Sequence, residues 1–258
     1  MKTVTQCKLY PSLIFSGELG TFKIHAEMPM QKPVLANHNL PPMGDMGSND
    51  FQKPPLNLPK PRSRTNKNYE PKEWKEYFDD LIYMDNGTPV FHTEGEGPIF
   101  LCFHGAGMCA LSFALLATEV KKFARLAAFD FRGHGFSKHE GGETDLSIDT
   151  LVDDGIEVVK FVQEQFPKST IVLMGHSMGG SVACKVSRKL EGQLAGERVV
   201  GLIVIDVVEG SAIEALPHME TILQNRPKKF TSLVDVVRYA YQSRTVRKLE
   251  SARVSCPP

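Results

Sequence analysis

The chain shows two kinds of hydrophobic pattern from about residue 98 onward, and the two kinds alternate. Short, nearly continuous apolar runs are typical of buried strands, whereas apolar residues three and four positions apart are typical of amphipathic helices. The apolar runs cover residues 98–103, 125–131, 170–174 and 199–206, and the helical segments cover residues 110–123, 148–166 and 178–190. This alternation predicts an α/β fold with a mostly parallel sheet that has helices on both faces.

The first 70 residues show neither pattern. From Met28 to about Tyr69 the sequence is rich in Pro, Asn, Met and Lys, and it has too few apolar residues to bury a core. We therefore predict a flexible tail over residues 1–70 and a single α/β domain over residues 71–258. The basic cluster from Lys60 to Lys67 is either a solvated run of charges or a docking or nuclear-import element.

Composition and charge narrow the choice of partners. The 258 residues are 41% hydrophobic, which suffices for one sizeable core, and 30 basic residues balance 30 acidic ones. A net charge of zero provides no overall field that would attract nucleic acid or an anionic membrane. No apolar run is long enough to span a bilayer. We therefore expect neither nucleic acid nor a membrane as a partner.

The five cysteines are scattered along the chain, and they lack the spacing of metal ligands. This usage predicts reduced thiols, a cytoplasmic or nuclear location and no bound metal. Cys102 lies in an apolar run and Cys184 in a helical segment. We expect both side chains to pack in the core, because free cysteine behaves as a small apolar residue.

A short motif at the end of the third apolar run points to a nucleophile. The sequence "GHSMG" places Ser177 between Gly175 and Gly179, after a β-branched strand and before a helix. This order of strand, Gly-x-Ser-x-Gly and helix is the nucleophile elbow, a sharp turn that lifts the serine hydroxyl above the sheet. The turn also puts Ser177 at a helix N-terminus, where free N–H groups favour a developing oxyanion.

Two further motifs follow the first two apolar runs. The loop "HGAG", residues 104–107, has the form of a loop that supplies an oxyanion-hole N–H, so we predict the backbone N–H groups of Ala106 and Met178 as the donors. His104 is expected to hold this loop and not to act as the base. In "FDFRGHG", residues 129–135, we expect Asp130 and His134 to have structural roles.

These three motifs, in this order, resemble those of the α/β-hydrolases. The segments "IDVVEGSAIEAL" (205–216), "RPKKFTSL" (226–233) and "LESARVS" (249–255) narrow the resemblance to the protein phosphatase methylesterase family. The resemblance implies a serine carboxylesterase that needs no cofactor and that demethylates the C-terminal leucine methyl ester of the type 2A protein phosphatase catalytic subunit. It also implies Ser177 as the nucleophile and Asp206, which ends the fourth apolar run, as the acid of the triad.

The sequence departs from this family at the position of the base. The triad histidine of an α/β-hydrolase follows the acid along the chain, after the last strand. Only His218 follows Ser177 here, and it lies within the helical-looking "IEALPHMETIL". We expect His218 to be a solvated helix residue, and we expect the last strands of the sheet and the triad histidine to be missing.

Three interpretations of the function therefore stay open. The first is the methylesterase, of which this chain would be a C-terminally incomplete and nearly inactive form unless His218 or a second chain supplies the base. The second is a catalytically inactive form that only binds the phosphatase. The third is a general hydrolase of small esters, since the elbow does not define the substrate.

Overall fold

The computed structural model describes residues 67–139, 145–206, 227 and 229–256, together with three short strands nearer the N-terminus. Most of the predicted tail, residues 1–70, lies outside the described residues, and its flexibility stays a prediction. Residues 67–70 are described, and they contact the C-terminal helices. The Lys67 ammonium donates to the Tyr241 hydroxyl at 2.7 Å, and the carbonyl of Glu70 accepts from the Arg253 guanidinium at 2.6 Å.

The described elements alternate as the hydrophobic pattern predicts. The strands are β1 Gln6–Cys7, β2 Ile14–Ser16, β3 Lys23–His25, β4 Asp80–Tyr83, β5 Pro89–His92, β6 Ile99–Phe103, β7 Arg125–Phe129, β8 Ile171–His176 and β9 Val199–Ile205. The helices are α1 Ala114–Val120, α2 Ile148–Gln165, α3 Met178–Leu190, α4 Leu233–Gln242 and α5 Leu249–Ser255. Short 3-10 turns cover Trp74–Glu76, Ala110–Phe113 and Leu194–Gly196. None of the described helices is both long enough and apolar enough to cross a membrane.

Seven strands form one sheet in the order β1-β9-β8-β6-β7-β5-β4. The central strands β7, β6, β8 and β9 run parallel. On one side β5 pairs antiparallel with β7 and β4 pairs antiparallel with β5, and on the other side β1 pairs antiparallel with β9. The predicted mostly parallel sheet is therefore confirmed. No strand follows β9 in the part of the chain that the structure describes, and only two residue pairs, Gln6 with Val204 and Cys7 with Ile203, join its outer edge to β1.

Helices cover the sheet on both faces. Successive side chains of β6 point to opposite sides of the sheet, so they pack in two different apolar clusters. Ile99, Leu101 and Phe103 belong to one apolar cluster, which α2 and α3 cover. Phe100 and Cys102 belong to a second cluster, which α1 and α5 cover. All five side chains are at most 4% exposed, so β6 forms the centre of the molecule.

Local sequence signals account for where the helices begin. Ser147 precedes α2, and its hydroxyl accepts the Thr150 N–H, which is the usual N-cap bond. Ser232 caps α4 in the same way by accepting the Asp235 N–H. The predicted helix over residues 110–123 is shorter than expected, because its first four residues form a 3-10 turn and only Ala114–Val120 is α-helical.

The two cysteines expected in the core have different environments. Cys102 is fully buried in β6, as predicted. The prediction for Cys184 is wrong, since this residue is exposed on α3. Its neighbour Lys185 is also exposed, whereas Val182 and Ala183 are buried against the sheet, so Cys184 lies on the outer side of the helix.

A buried ion pair fixes the loop that follows β7 to helix α2. The Arg132 guanidinium donates to both carboxylate oxygens of Asp154, with each N–O distance 2.6 Å. Both residues are 7% exposed, and His139 Nε2 lies 3.5 Å from the same carboxylate. The paired geometry satisfies two charges that would otherwise be costly to bury.

We expect Asp154→Ala to lower the free energy of unfolding by about 3–5 kcal/mol, because it removes the carboxylate that accepts two hydrogen bonds from a buried guanidinium. Asp153→Ala is the matched control, since its pair with Lys189 is exposed and 2.9 Å long, and we expect a loss below about 1 kcal/mol. Urea unfolding of both variants measures the difference. Equal losses for the two variants would contradict the role given to Asp154.

Candidate active site

Ser177 occupies a sharp turn between β8 and α3. Its φ is +52° and its ψ is −121°, a backbone conformation that costs a residue with a side chain about 1–3 kcal/mol. The residue is exposed although β8 is buried along most of its length. The sequence prediction of a turn that lifts Ser177 above the sheet agrees with this geometry.

The two glycines of the motif are needed for close packing and not for unusual torsion angles. A Cβ atom on Gly175 would lie 2.3 Å from the Gly179 carbonyl oxygen, inside the turn itself. A Cβ atom on Gly179 would lie 2.3 Å from the carbonyl oxygen of Phe103 and 2.5 Å from that of His104. Helix α3 therefore starts in direct contact with the carboxyl end of β6.

Within the described ranges the Ser177 hydroxyl does not cap the helix that follows it. Ser177 is the N-cap residue of α3, a position where serine usually accepts an N–H of the first turn, but its side chain makes no such bond. The first N–H groups of a helix have no acceptor within the helix, and Met178 is the first residue of α3. The Met178 N–H is therefore one of the free donors at the start of α3, directly after Ser177, and its role as an oxyanion donor stays a prediction.

Asp206 lies next to Ser177 because of the register between two parallel strands. His176 of β8 pairs with Ile205 of β9, and the Ser177 N–H donates to the Ile205 carbonyl at 2.9 Å. Asp206 follows directly, it is exposed, and its φ of +53° matches the left-handed value at Ser177. The structure thus brings together the two residues that the sequence analysis assigns to nucleophile and acid.

The predicted oxyanion loop forms a tight turn beside the elbow. The Met108 N–H donates to the Gly105 carbonyl at 3.1 Å, and Gly107 has a φ of +66°, which together are typical of a type II turn. A Cβ on Gly105 would lie only 3.4 Å from Ser177 Cβ, so the loop lies close to the serine. Ala106 is exposed at the tip of the turn, where its N–H has no acceptor among the described residues.

His104 holds this loop from below, as predicted. Its ring is fully buried, its Nε2 accepts the Phe131 N–H at 3.1 Å, and its Nδ1–H donates to the Gly105 carbonyl at 2.9 Å. Burial lowers the pKa of His104 to about 3, with smaller contributions from the neighbouring His134 and His176. The imidazole is therefore neutral, and both nitrogens are used by the backbone.

Asp130 also has the structural role that the sequence analysis expects. Its two carboxylate oxygens accept the N–H groups of Ala110, at 2.6 Å, and of Phe136, at 2.8 Å. Burial raises the pKa of Asp130, and the two backbone hydrogen bonds oppose that shift. Because both oxygens are occupied inside the protein, Asp130 is not available to orient a catalytic imidazole.

Two contacts near the site carry no signal that the sequence analysis could use. The Arg132–Asp154 pair joins residues 22 positions apart, and His134 Nε2 accepts the Gly107 N–H at 3.2 Å across 27 positions. Only the location of Arg132 and His134 in the "FDFRGHG" loop marks them as residues of interest. Both contacts depend on the way that the loops after β6 and β7 meet.

The structure leaves the general base unassigned. No histidine nitrogen of the described residues hydrogen-bonds to the Ser177 hydroxyl, and the backbone uses both ring nitrogens of His104 and of His134. His218 lies in the segment 207–226, outside the described residues. The expectation that it is a solvated helix residue stays a prediction.

One group of side chains within the described ranges has the spacing of metal ligands. Donor atoms of His139, Asp154 and Glu157 lie within 4.8 Å of one another. Arg132 already occupies both oxygens of Asp154, and its positive charge opposes a cation at the same place. These residues are therefore better described as part of the buried ion pair.

Comparison with known proteins defines the family. A family model described as serine aminopeptidase S33 (Hydrolase_4) matches residues 96–229, just over half of the chain. Among solved structures, E-2-(acetamidomethylene)succinate hydrolase superposes with a TM-score of 0.55 at 23% identity, over 67% of this chain and 62% of that one. A thioesterase domain from the curacin biosynthetic pathway superposes with a TM-score of 0.51 at 22% identity, over 67% of this chain and 65% of that one. These two similarities support the α/β-hydrolase fold.

The similarity to curated relatives is more specific. The chain is 38% identical over 217 residues to protein phosphatase methylesterase 1 of Yarrowia lipolytica, over 74% of this chain and 51% of the relative. The Bos taurus protein of that name is also 38% identical, over 73% of this chain and 50% of the relative. A probable protein phosphatase methylesterase 1 of Dictyostelium discoideum is 34% identical, over 73% of this chain and 67% of the relative.

The chain spans about half the length of the first two relatives. The family model covers residues 96–229, which include the elbow, the loop 104–107 and β9 together with Asp206. The chain belongs to the protein phosphatase methylesterase family of α/β-hydrolases.

Proposed function

We propose that this protein is a serine carboxylesterase that removes the methyl ester from the C-terminal leucine of the type 2A protein phosphatase catalytic subunit. The observation that carries the proposal is the position of Ser177 beside Asp206 at neighbouring strand ends, with the oxyanion loop close by. The names of the relatives support a protein phosphatase as the substrate.

The proposed reaction proceeds by acyl transfer. A general base takes the proton of Ser177, and the serine oxygen attacks the ester carbonyl carbon, whose oxygen then accepts the N–H groups of Ala106 and Met178. The tetrahedral intermediate collapses, methanol leaves with the proton from the base, and an acyl-enzyme remains. Water attacks this ester in turn, which frees the leucine carboxylate and restores the serine. Asp206 orients the base and stabilises its protonated form.

The exposure of the site suits a substrate at the end of a protein chain. Ser177, Asp206 and Ala106 are exposed, so an extended tail would reach them without entering a deep cavity. Met108 follows the oxyanion loop and is 37% exposed, so it offers an apolar side chain near the site for the proposed leucine. A methyl ester also has a small leaving group, which needs little room beside the serine.

The second candidate is a form that binds the phosphatase without demethylating it. It is favoured by one observation, that no imidazole of the described residues reaches the Ser177 hydroxyl. The third candidate, a general hydrolase of small esters, uses the same serine and differs only in its substrate. A peptide that ends in leucine methyl ester, compared with a simple acetate ester, separates the first candidate from the third.

We expect Ser177→Ala to abolish labelling by a fluorophosphonate, because it removes the nucleophile. In a chain that holds its general base, ester hydrolysis should also fall by about 10⁶-fold. Ser181→Ala, one turn further along α3, is the matched control and should label normally. Mass spectrometry of the labelled chain identifies the modified residue. Labelling that persists in Ser177→Ala would show that another side chain is the nucleophile.

In a chain that holds its general base, Asp206→Asn should keep KM for the methylated peptide and lower kcat by about 10⁴-fold, since an amide stabilises the wrong tautomer of that base. Asp149→Asn serves as a control, because its carboxylate is exposed on α2, 3.9 Å from Lys185, and we expect no loss of rate. Steady-state kinetics with both variants measure the effect. A kcat equal to that of the unchanged chain would place the acid elsewhere.

The pH dependence of hydrolysis distinguishes the esterase from the binding form. An imidazole base with an ordinary pKa of about 6.5 would make the rate level off above about pH 8, because the base is then fully deprotonated. Without a base, the rate would keep rising with hydroxide concentration until the protein unfolds at alkaline pH. His218→Ala should change a plateau into the rising profile if His218 is the base, and it should change nothing otherwise.

A further inference from the structure

A basic cleft lies at the turn between α4 and α5. It has a volume of about 630 Å³, which is within the usual range for ligand sites, and it is lined by Tyr241, Gln242, Arg244 and Arg247. All of these residues except Tyr241 are exposed, so the cleft is open to solvent. None of them belongs to the candidate active site, which lies at the carboxyl ends of β6, β8 and β9.

The sequence around the cleft carries charge of one sign. Between Asp235 and Glu250 the chain has four basic residues and no acidic one, although the whole chain has a net charge of zero. Within the described ranges, the side chains of Arg244, Arg247 and Lys248 make no hydrogen bond and no ion pair. Three positive charges therefore lie at this turn without a counter-charge from the described part of the chain.

The two carboxylates that flank this stretch are already in use. Asp235 accepts from the Arg238 guanidinium at 2.8 Å. Glu250 lies 2.7 Å from the Lys72 ammonium, and it accepts from the Tyr77 hydroxyl at 2.9 Å. Neither carboxylate is available to neutralise the cleft, so the matching anion has to come from another molecule.

Arg244 occupies its place at a cost in backbone energy. Its φ is +61°, and among the described residues that are not glycine only Ser177 and Asp206 share a positive φ. Arg244 follows the capping residue of α4, and its N–H donates to the Tyr241 carbonyl at 3.3 Å. Glycine is the usual residue at this position of a helix end. The helix end therefore does not account for an arginine, and a strained residue of this kind is a reason to consider a function.

The chain that precedes the domain adds a fourth charge at the cleft. The Lys67 ammonium donates to the Tyr241 hydroxyl at 2.7 Å and lies 4.5 Å from the centre of the Tyr241 ring. The Tyr69 ring lies 6.4 Å from the same ring. Lys67 and Tyr69 together restrict access to Tyr241, so this aromatic ring is not free to stack on another group.

These contacts favour an acidic polypeptide over a nucleic acid or a membrane as the partner. Proteins that bind single-stranded nucleic acid stack bases on free aromatic rings, and the Tyr241 ring is not free. A membrane-binding surface combines basic side chains with exposed apolar ones, and none of the lining residues is an exposed apolar residue. Guanidinium groups pair well with carboxylates, because two parallel N–H groups match two oxygens.

We infer that the basic cleft binds an acidic segment of a protein partner, whose carboxylates accept from Arg244 and Arg247. Lys67 and Lys248 lie at the rim and add positive charge. The choice of partner rests on the proposed function, which gives this protein a phosphatase as its substrate. The cleft then holds an acidic part of the folded phosphatase while the C-terminal leucine of that protein is at Ser177.

Helix α5 connects the cleft to the candidate active site. It begins at Leu249, directly after Lys248, and it ends at Ser255, whose carbonyl accepts from Cys109 Sγ at 3.5 Å. Cys109 follows Met108, the last residue of the turn in the oxyanion loop. Seven helical residues cover only about 10 Å. An interface of ordinary size, about 800 Å² on each partner, would therefore extend over both the cleft and the loop.

Three variants test the inference. Arg247→Glu reverses one charge of the cleft, and Lys160→Glu is the matched control, because Lys160 is exposed on α2, which covers the opposite face of the sheet. Arg244→Gly removes a charge and also the strain of the positive φ. We expect its midpoint of urea unfolding to equal or exceed that of the unchanged chain, so that weaker binding by this variant does not come from unfolding.

The first measurement needs no catalysis. Fluorescence anisotropy at low salt follows the binding of a labelled ten-residue peptide with four glutamates, and the same peptide with four glutamines is the control. We expect the glutamate peptide alone to bind. Its Kd should rise by about 10-fold in Arg247→Glu and by about 2- to 5-fold in Arg244→Gly, and it should stay the same in Lys160→Glu. Added salt should weaken the binding, because the charges are exposed.

Several results would overturn the inference. One is equal binding of the glutamate and glutamine peptides, and another is an equal loss in Arg247→Glu and Lys160→Glu. Tighter binding of a polythymidine oligonucleotide or of phosphatidylserine vesicles than of the glutamate peptide would overturn the choice of a protein partner.

The second measurement separates this inference from the proposed function. Binding of the purified phosphatase catalytic subunit should weaken in Arg247→Glu and not in Lys160→Glu, and the glutamate peptide should compete with it. A chain that binds the glutamate peptide through Arg247 but does not bind the phosphatase would keep the acidic partner and contradict the proposed substrate. A chain that binds the phosphatase equally well with Arg247→Glu would keep the substrate and contradict the role of the cleft.

Discussion

The contact between the start of α3 and the end of β6 is the constraint on which the site depends. Gly179 has no side chain, so the helix can pack on the Phe103 and His104 carbonyls, at distances that any Cβ would forbid. This contact brings the oxyanion loop to the elbow, and the parallel register of β8 with β9 brings Asp206 to the same place. The site is therefore assembled by the backbones of three adjacent strands.

Polar side chains hold the loops above this frame. His104 and Asp130 are fully buried, and each satisfies two backbone groups of the loops that follow β6 and β7. Arg132 and Asp154 then attach the second loop to α2. Apolar packing tolerates small shifts, whereas such hydrogen bonds have defined directions. The polar network thus gives the loops a fixed geometry that the apolar clusters alone would not.

The sequence was sufficient to predict the mostly parallel sheet and the sharp turn at Ser177, because each depends on local patterns. The apolar run 98–103 became β6 at Ile99–Phe103, and "GHSMG" became the strained turn at Ser177. The helix over residues 110–123 was predicted too long, since its first residues, Ala110–Phe113, form a 3-10 turn whose first N–H donates to Asp130. The helix propensity of the segment gives no information about a contact with a residue 20 positions away.

Residues whose roles depend on distant partners could be predicted only through family resemblance or not at all. Asp206 ends a strand in the sequence, which is common, and only the pairing of β8 with β9 places it beside Ser177. The contact of His134 with Gly107 joins two loops that are 27 residues apart. The exposure of Cys184 likewise follows from which side of α3 faces the sheet, which the composition of the helix did not reveal.

The left-handed torsion angles at Ser177 and Asp206 have a consequence for how this protein changes over time. Both residues carry a side chain in a conformation that glycine adopts freely, at a cost of about 1–3 kcal/mol at each position. Glycine at either position should therefore make the fold more stable while it removes the side chain that the proposed reaction uses. Screens for thermostability alone will tend to select against both side chains.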